Sequence, residues 1–179
     1  GSGDLLYVLN RSREDRPDGV RVSIITLNEE YVSEFASFGE GDGQFIWPTS
    51  IALDAGGNIY VADEWLNRIS IFNKDGDYLR KWGKAGSGDG ELDHPAGMAI
   101  SAEGTVFLSD SHNHRVQKFT KDGQLISAWG QRGSGPGQFQ GPWGLALTEA
   151  GDVYISDWGN DRIQRYSADG VLIEEFDGL

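Results

Sequence analysis

The three histidines are the side chains in this sequence best suited to bind a metal ion, because imidazole is the commonest zinc ligand type in proteins. They are His94, His112 and His114, and the last two are separated by a single residue in a predicted loop. That spacing is a weak indication of a metal site, and the pattern shows no clear carboxylate partner for the three rings. We therefore predict no metal ion and no other cofactor, and keep the three histidines as candidate ligands.

Aspartate and arginine recur in pairs, five residues apart, at three places. The pairs are Asp63 and Arg68, Asp110 and Arg115, and Asp157 and Arg162. A carboxylate and a guanidinium at this spacing can meet across a hairpin loop, and buried charges require partners. A catalytic pair is not expected three times over, so we interpret all six residues as structural. The sequence shows no Ser-His-Asp arrangement and no acid–base pair, so it predicts no catalytic residue.

Four of the six tryptophans lie in predicted loops, where large rings with a polar N–H group could contact a ligand. These four are Trp47, Trp65, Trp143 and Trp158. The alternative interpretation is that each ring packs on the strands of its own unit or on a neighbouring unit. The other two, Trp82 and Trp129, lie in predicted strands, and we interpret them as scaffold.

All of these residues are set in a repeat of 47 residues. Pro48, Pro95 and Pro142 are separated by this step, and the Asp–Arg pairs follow it too. A repeat of about 20 to 50 residues indicates a solenoid, a propeller or an array. Residues that keep the repeat are expected to form the scaffold, and residues that break it are the candidates for a specific function.

Each unit reads as four short strands. In the second unit the predicted strands are Thr49–Leu53, Asn58–Ala62, Arg68–Phe72 and Tyr78–Trp82. They are rich in Ile, Val, Tyr and Phe and are bounded by Gly and Asp clusters, which is typical of strands and hairpins. Helical periodicity is absent from the sequence. Four antiparallel strands in a unit of this length predict an all-β fold, a β-propeller built from four-stranded blades.

The fourth unit resembles the NHL repeat closely. Its matching segments are GQFQGPWGLAL at 137–147, DVYISD at 152–157, NDRIQRY at 160–166 and Asp169-Gly170. The resemblance implies a propeller, which in this family usually has about six blades. In their regularity the repeats resemble those of bacterial NHL proteins.

Some propellers that resemble this chain are peptidyl-hydroxyglycine lyases, whose zinc-binding histidines directly follow the inner-strand proline. The residues at those positions here are Thr49, Ala96 and Trp143, none of them a histidine. The resemblance to the lyases therefore does not include their zinc ligands. A fragment of a metal-dependent propeller lyase or hydrolase is kept as the alternative function.

The repeat divides the chain into four units of one propeller domain. The first unit lacks the innermost strand and has a longer, arginine-rich loop at 11–19. We therefore predict a partial ring or a ring completed by other copies, in which exposed apolar blade edges favour self-association. The predicted parts are an expression remnant at 1–3, an incomplete first blade at 4–38, and complete blades at 39–85, 86–132 and 133–179. The glycine-rich segments 39–43, 86–90 and 133–137 are interpreted as linkers between blades.

Strand order determines which loops share a face of the disc. In an antiparallel meander, the blade-to-blade loops and the loops between second and third strands lie on one face, and the other turns lie on the opposite face. The four loop tryptophans and the three histidines all belong to the first set. We predict a binding face there for a peptide, protein or glycan ligand, formed by Trp47, Trp65, His94, His112, Trp143 and Trp158.

Composition limits the partners of the chain. The net charge is −13 and the pI is near 4.5. Nucleic-acid binding depends on cationic residues that neutralise phosphates, so we predict no nucleic-acid partner. No apolar run approaches the length of a membrane span, and we predict no membrane partner. Cysteine is absent, and no feature indicates a cellular location. The predicted function is a non-catalytic binding and assembly scaffold.

Overall fold

A computed structural model describes residues 5–11 and 19–178 of the chain. Within them the chain forms successive antiparallel sheets, a short parallel pair of strands and the 3-10 turn Trp158–Asn160, so the predicted all-β propeller architecture is confirmed, and the ring is open. No helix in these residues is long and apolar enough to cross a membrane. The predicted expression remnant at 1–3, and residues 12–18 of the arginine-rich loop, lie outside the described residues.

The first blade has three strands and each later blade has four, all in meander order. The first blade contains β1 (Leu5–Asn10), β2 (Arg21–Thr26) and β3 (Tyr31–Phe35). A short parallel pair, β4 (Ser37–Phe38) and β5 (Gln44–Phe45), links it to the second blade. The second blade contains β6 (Pro48–Leu53), β7 (Ile59–Asp63), β8 (Arg68–Phe72) and β9 (Tyr78–Trp82). The third contains β10 (Pro95–Ile100), β11 (Val106–Asp110), β12 (Arg115–Phe119) and β13 (Leu125–Trp129). The fourth contains β14 (Pro142–Leu147), β15 (Val153–Asp157), the 3-10 turn Trp158–Asn160, β16 (Arg162–Tyr166) and β17 (Leu172–Asp177).

The strand boundaries differ from the predicted ones by one residue at most in the second blade. The inner strand β6 begins at Pro48 instead of Thr49, and β7 is displaced by one residue towards the C-terminus. The pairing of β6 with β7 shifts register between Pro48 and Ser50. Proline has no N–H to donate to a ladder, which accounts for an irregularity at this position. The parallel pair of β4 and β5 was not predicted.

Apolar side chains from facing blades form the core. The layer between the second and third blades is made of completely buried residues from both, including Tyr60, Ile69, Leu108 and Phe119. The half-buried ring of Trp82, in the outer strand, packs against this layer with its centroid 5.0 Å from that of Phe119. Each fully buried large apolar side chain contributes about 1.5–3 kcal/mol. Contact between blades is therefore the main source of stability.

The two ends of the open ring expose positions that are buried between the inner blades. On the fourth blade, Ile163 is 43% exposed, whereas its repeat equivalents Ile69 and Val116 are completely buried. On the first blade, Val8 is 39% exposed, whereas its equivalent Val61 is completely buried. Each end therefore carries an apolar face that has the character of an interior blade interface.

The repeated arginines bind the glycine-rich linkers between blades. The Nη2 atom of Arg115 donates to the carbonyl oxygens of Gly88 and Glu91, at 2.7 and 2.9 Å. Arg68 and Arg162 make the equivalent bonds to their own linkers. A guanidinium can hold several carbonyl groups because its five N–H donors form a rigid fork. These arginines thus connect each blade to the segment that leads into it.

Two of the three predicted Asp–Arg pairs form direct ion pairs. Nε of Arg115 lies 2.8 Å from Oδ2 of Asp110, and Nε of Arg162 lies 3.3 Å from Oδ2 of Asp157. The third expectation is wrong, because Asp63 and Arg68 do not pair in the described structure. The Asp63 carboxylate instead accepts backbone N–H groups, those of Ile46, Trp47, Trp65 and Leu66.

The difference follows from two neighbouring side chains. In the third blade the amides of Asn113 and Gln117 both donate to Oδ2 of Asp110, at 2.9 Å, beside the guanidinium. The equivalent residues in the second blade are Leu66 and Ser70, which supply no amide. The carboxylate there is satisfied by the backbone instead, and no side-chain amide holds it towards the arginine.

Candidate ligand-binding face

Backbone hydrogen bonds bring the predicted loops together at one end of the blades. In each complete blade, the loop after the second strand donates to the segment before the inner strand. Examples are the bonds from Glu64 N to Trp47 O (3.1 Å), from His112 N to Asp93 O (3.1 Å) and from Trp158 N to Gly141 O (3.2 Å). We call the surface formed by these segments the loop face; it comprises residues 46–47, 64–67, 93–94, 111–114, 140–143 and 158–161.

Further hydrogen bonds join the loop face across neighbouring blades. The backbone N–H of His94 donates to Oδ1 of Asn67 at 2.8 Å, and the N–H of Gly141 donates to Nδ1 of His114 at 3.2 Å. Burial lowers the pKa of His114, and the positive charge of Arg132 lowers it further. A ring nitrogen that accepts a hydrogen bond has no proton, so Nδ1 of His114 is unprotonated. Its hydrogen bond links the third blade to the segment that leads into the fourth.

Three of the four tryptophans predicted in loops are exposed, although Trp143 lies in the inner strand β14 and not in a loop. The exposed fraction is 78% for Trp158, 63% for Trp65 and 45% for Trp143. Trp47 is half-buried instead, because the guanidinium of Arg11 lies over its ring, 4.3 Å from the centroid. The predicted set therefore contains three exposed rings and one ring that is partly covered by the first blade.

Arg11 also forms an ion pair that links the first blade to the second. Its Nη2 lies 2.7 Å from Oε1 of Glu64, whose side chain is only 13% exposed. Stacking of a guanidinium on tryptophan adds a cation–π attraction to this pair. Burial raises the pKa of Glu64, while the charges of Arg11 and then His94 oppose the shift. Glu64 is thus an acidic group held between an arginine and the histidines of the third blade.

Two of the three histidines form a cluster with an aspartate. Nδ1 of His94 lies 2.6 Å from Oδ1 of Asp93, and Nδ1 of His112 lies 3.6 Å from the same oxygen. The two imidazole rings are stacked, with centroids 3.8 Å apart and planes inclined by 25°. One donor atom from each of the three residues lies within 4.8 Å of the others. His114, the third sequence candidate, is not part of this cluster.

Trp143 and Trp158 belong to a different environment from the other site residues. They line a cavity of about 310 Å³ together with Asp161, Arg162 and Ile163, on the uncovered side of the fourth blade. The equivalent of Trp143 in the third blade, Ala96, is buried. The structure therefore separates the predicted residues into a group around Trp47, Trp65, His94 and His112 and a pair at the open end.

Sequence reasoning missed two acidic residues of the site, Glu64 and Asp93. Both break the repeat, since Glu64 is replaced by Ser111 and Trp158 in the later blades. Asp93 directly precedes His94, and this adjacency was a signal for a carboxylate partner. The contact of Glu64 with Arg11 joins residues 53 positions apart, and no local pattern indicates it.

The chain was compared with known families and structures. The model of the NHL repeat matches residues 45–72, 92–119 and 139–166. Each match extends from the segment before an inner strand to the end of the third strand of one complete blade. No curated protein matches the chain.

Several solved structures share the fold. A protein of unknown function from Bacteroides caccae is 16% identical with a TM-score of 0.67, and the match covers 99% of this chain and 59% of that one. A streptogramin B lyase is 15% identical with a TM-score of 0.66, covering 90% and 49%. A catalytically inactive virginiamycin B lyase from Staphylococcus aureus with quinupristin is 16% identical with a TM-score of 0.65, covering 90% and 50%.

These structures support only the assignment of the fold, because proteins that share a fold at about 15% sequence identity can differ in function. The chain spans 59% of the first structure's length and about half of each lyase. The NHL matches are more informative, because they repeat at the 47-residue step and each covers the first three strands of one four-stranded blade. The chain is therefore an NHL-repeat protein, with three complete repeats built as propeller blades.

Proposed function

We propose that this chain is a binding and assembly module whose ligand contacts the loop face. The observation that carries the proposal is the exposure of Trp65 and Trp158, at 63% and 78%, on loops held at the same end of the blades. The scaffold does not require either ring. The repeat equivalents of Trp65 are His112 and Gly159, those of Trp158 are Glu64 and Ser111, and all three blades form the same four-stranded sheet.

Exposed tryptophan is an effective contact for a partner. The indole offers a large apolar area, loses little conformational entropy on binding and keeps an N–H donor. Truncation of such a ring at the centre of an interface costs about 2 kcal/mol or more. The loop face also carries the charged group of Asp93, whose side chain is 44% exposed, and the ion pair of Glu64 with Arg11 lies beside it.

A peptide or protein surface is the ligand class that this mixture favours. Aromatic and arginine anchors within a polar rim are typical of protein interfaces. Sugars also stack on tryptophan, so a glycan is the alternative outcome of the test. A net charge of −13 opposes binding to the phosphates of nucleic acid.

The assembly part of the proposal concerns a second copy of the chain. Within the chain, Val116 of the third blade packs in one cluster with Ile155 of the fourth. The exposed Ile163 is the equivalent of Val116, and the exposed Val8 of the first blade is the equivalent of Ile155. The fourth blade of one copy and the first blade of another therefore present complementary halves of an interface that the chain already builds. We propose head-to-tail association through these faces. The association closes a ring if the rotation between one copy and the next permits it.

The alternative function, a metal-dependent lyase or hydrolase fragment, has less support from the residues at the inner strands. Thr49 donates its hydroxyl hydrogen to the carbonyl oxygen of Pro95 at 2.9 Å, and Ala96 is buried. The two positions therefore have packing and bonding roles of their own. The fold likeness to streptogramin B lyase does not assign that reaction to this chain.

The binding proposal is tested by screening the immobilised chain against a peptide-display library and a glycan array. The best hit is then titrated against the Trp65→Ala and Trp158→Ala variants. Ile126→Ala is the matched control, because this residue is 50% exposed on the outer strand β13, away from the loop face. We expect the tryptophan variants to bind at least about tenfold more weakly with unchanged melting temperatures, and the control to bind normally.

Binding of the hit by both tryptophan variants with the affinity of the wild type would overturn the proposal. A large drop in melting temperature for Trp65→Ala would do the same, since it would make the ring a packing residue. A hit confined to the glycan array would keep the face and change the ligand class.

A further inference from the structure

The cluster of Asp93, His94 and His112 brings together the donor atoms that borderline metal ions prefer. Two imidazole nitrogens and a carboxylate oxygen meet at the edge of one blade, all within 4.8 Å of one another. Mixed nitrogen and oxygen ligands of this kind suit zinc and neighbouring transition metals better than Mg²⁺ or Ca²⁺. We propose that these three residues form a binding site for a divalent transition-metal ion, with Zn²⁺ as its best-fitting occupant.

The distances are close to those that a shared metal ion needs. Two ligand atoms bound to one tetrahedral zinc at about 2.0–2.1 Å are roughly 3.4 Å apart. The separation of Oδ1 of Asp93 from Nδ1 of His112 is 3.6 Å. The distance from Oδ1 of Asp93 to Nδ1 of His94 is shorter, 2.6 Å, because a proton lies in the hydrogen bond between these two atoms. A metal ion replaces this proton and widens the contact.

Metal binding also requires the rings to leave their stacked arrangement. The lone pair of an imidazole lies in the plane of its ring, so two rings inclined by only 25° cannot both point at one ion. At least one ring has to turn about its Cβ–Cγ bond. Both side chains have room to do so, since His94 is 36% exposed and His112 is 58% exposed.

The backbone of His94 is held in a conformation that favours a glycine. His94 has φ of +54°, in the left-handed region, where a residue with a Cβ is disfavoured by about 1–2 kcal/mol. The repeat uses a glycine at the equivalent position of the fourth blade, Gly141, with φ of +85°. In the third blade this position instead carries an imidazole directly beside Asp93. The third blade therefore keeps an imidazole at this position in spite of the backbone strain.

Asp93, His94 and His112 do not complete a tetrahedral site by themselves. Three protein ligands leave one coordination position for water or for a donor group of a bound partner. The inference goes beyond the proposed function, because it holds whether or not the loop face binds a peptide.

The test is calorimetric titration of the metal-free chain with Zn²⁺, with Mg²⁺ as the comparison ion. The variants are His94→Gly, His112→Ala and Asp93→Asn. His94→Gly restores the residue that the fourth blade uses at this backbone conformation, so it is expected to fold at least as well as the wild type. His114→Asn is the matched control, because Asn67 occupies the same left-handed position in the second blade.

We expect one Zn²⁺ per chain and no saturable binding of Mg²⁺. Each of the three ligand variants should bind Zn²⁺ at least about tenfold more weakly, and the His114→Asn control should bind normally. A second readout is the NMR signal of the imidazole nitrogens, where only His94 and His112 should shift on Zn²⁺ addition. The inference is wrong if Zn²⁺ does not saturate, if His94→Gly binds it normally, or if the control weakens binding as much as the ligand variants. None of these outcomes depends on the unidentified ligand of the loop face.

Discussion

Asp110 and Arg115 form a buried ion pair in the third blade, with 2.8 Å between Oδ2 and Nε, whereas their equivalents in the second blade do not pair. In the third blade the amide of Asn113 donates both to Oδ2 of Asp110 and to the carbonyl oxygen of Gly86, at 2.9 Å each. The same asparagine arrangement occurs in the fourth blade at Asn160. One amide therefore connects the buried carboxylate to the linker that enters the blade.

Leu66→Asn should restore this connection in the second blade. Leu66 stands at the repeat position of Asn113, and an amide there can donate to Asp63 and to the Gly39 carbonyl. We expect the free energy of unfolding to rise by about 0.5–1.5 kcal/mol, the usual net contribution of a hydrogen bond. Urea unfolding measures the change. The reverse substitution, Asn113→Leu, should lower stability, and a stabilising effect of that variant would contradict the account.

The hairpin glycine of each complete blade contacts an aromatic ring of the preceding blade. A Cβ added to Gly123 would lie 2.5 Å from Cγ of Trp82, and the backbone there has φ of +82°. We expect Gly123→Ala to cost about 2–5 kcal/mol, because the clash of about 1–3 kcal/mol adds to the left-handed backbone penalty of about 1–2 kcal/mol.

Gly104→Ala is the control for that experiment. Gly104 has φ of +85°, and a Cβ added to it would meet nothing within 4 Å. It should therefore show the backbone penalty alone, about 1–2 kcal/mol. Equal losses for the two variants, measured by thermal or urea unfolding, would show that the contact with Trp82 contributes nothing.

The pKa of Glu64 predicts a pH dependence of stability. Burial raises this pKa above its ordinary value of 4.5, so the folded state retains the proton to a higher pH than the unfolded state does. The contribution of Glu64 to stability is therefore fully present below about pH 4.5 and declines as the pH rises through the raised pKa. Glu64→Gln should remove this decline, so its stability relative to the wild type should increase with pH.

Glu91 supplies a comparison of opposite sign. The hydrogen bond from Lys84 lowers the pKa of Glu91, so its contribution is present at neutral pH and lost in acid. The Glu91→Gln variant should therefore be less stable than the wild type at neutral pH, and the difference in stability should shrink as the pH falls. Urea unfolding of both variants from about pH 4 to pH 7 measures the two slopes, and slopes of the same sign would refute the assignment.

A substitution at the exposed Ile163 tests the proposed interface between copies of the chain. Light scattering behind a sizing column should give a discrete dimer for the wild type, and Ile163→Asp should give a monomer, because a charge would be buried in an apolar contact. The control is Ile126→Asp, since residues at this outer-strand position are exposed in all three complete blades: Leu79 46%, Ile126 50% and Ile173 48%. A wild-type chain that is monomeric at every concentration would exclude association through these faces.

Much of the molecule could be predicted from the repeat. The 47-residue step determined the number of strands in each blade, the missing inner strand of the first blade and the loops that share a face. A backbone period is visible in the sequence because each blade must turn and pair at the same places. The structural interpretation of Arg115 and Arg162 rested on this period as well, and both arginines lie in hydrogen-bonded networks.

The contacts between side chains depended on tertiary structure. The pairing of Asp93 with His94 and His112, the ion pair of Arg11 with Glu64, and the absence of an Asp63–Arg68 pair all depend on how loops from different strands and blades approach one another. The contact of Arg11 with Glu64 joins residues 53 positions apart, and the geometry of the Asp93 cluster depends on local dihedral angles such as the left-handed backbone of His94. The sequence by itself determined the blades and the face on which the loops meet, because both follow from a backbone period. Only the packed structure decided which side chains meet on that face, because distances of a few ångströms depend on the packing of neighbouring blades.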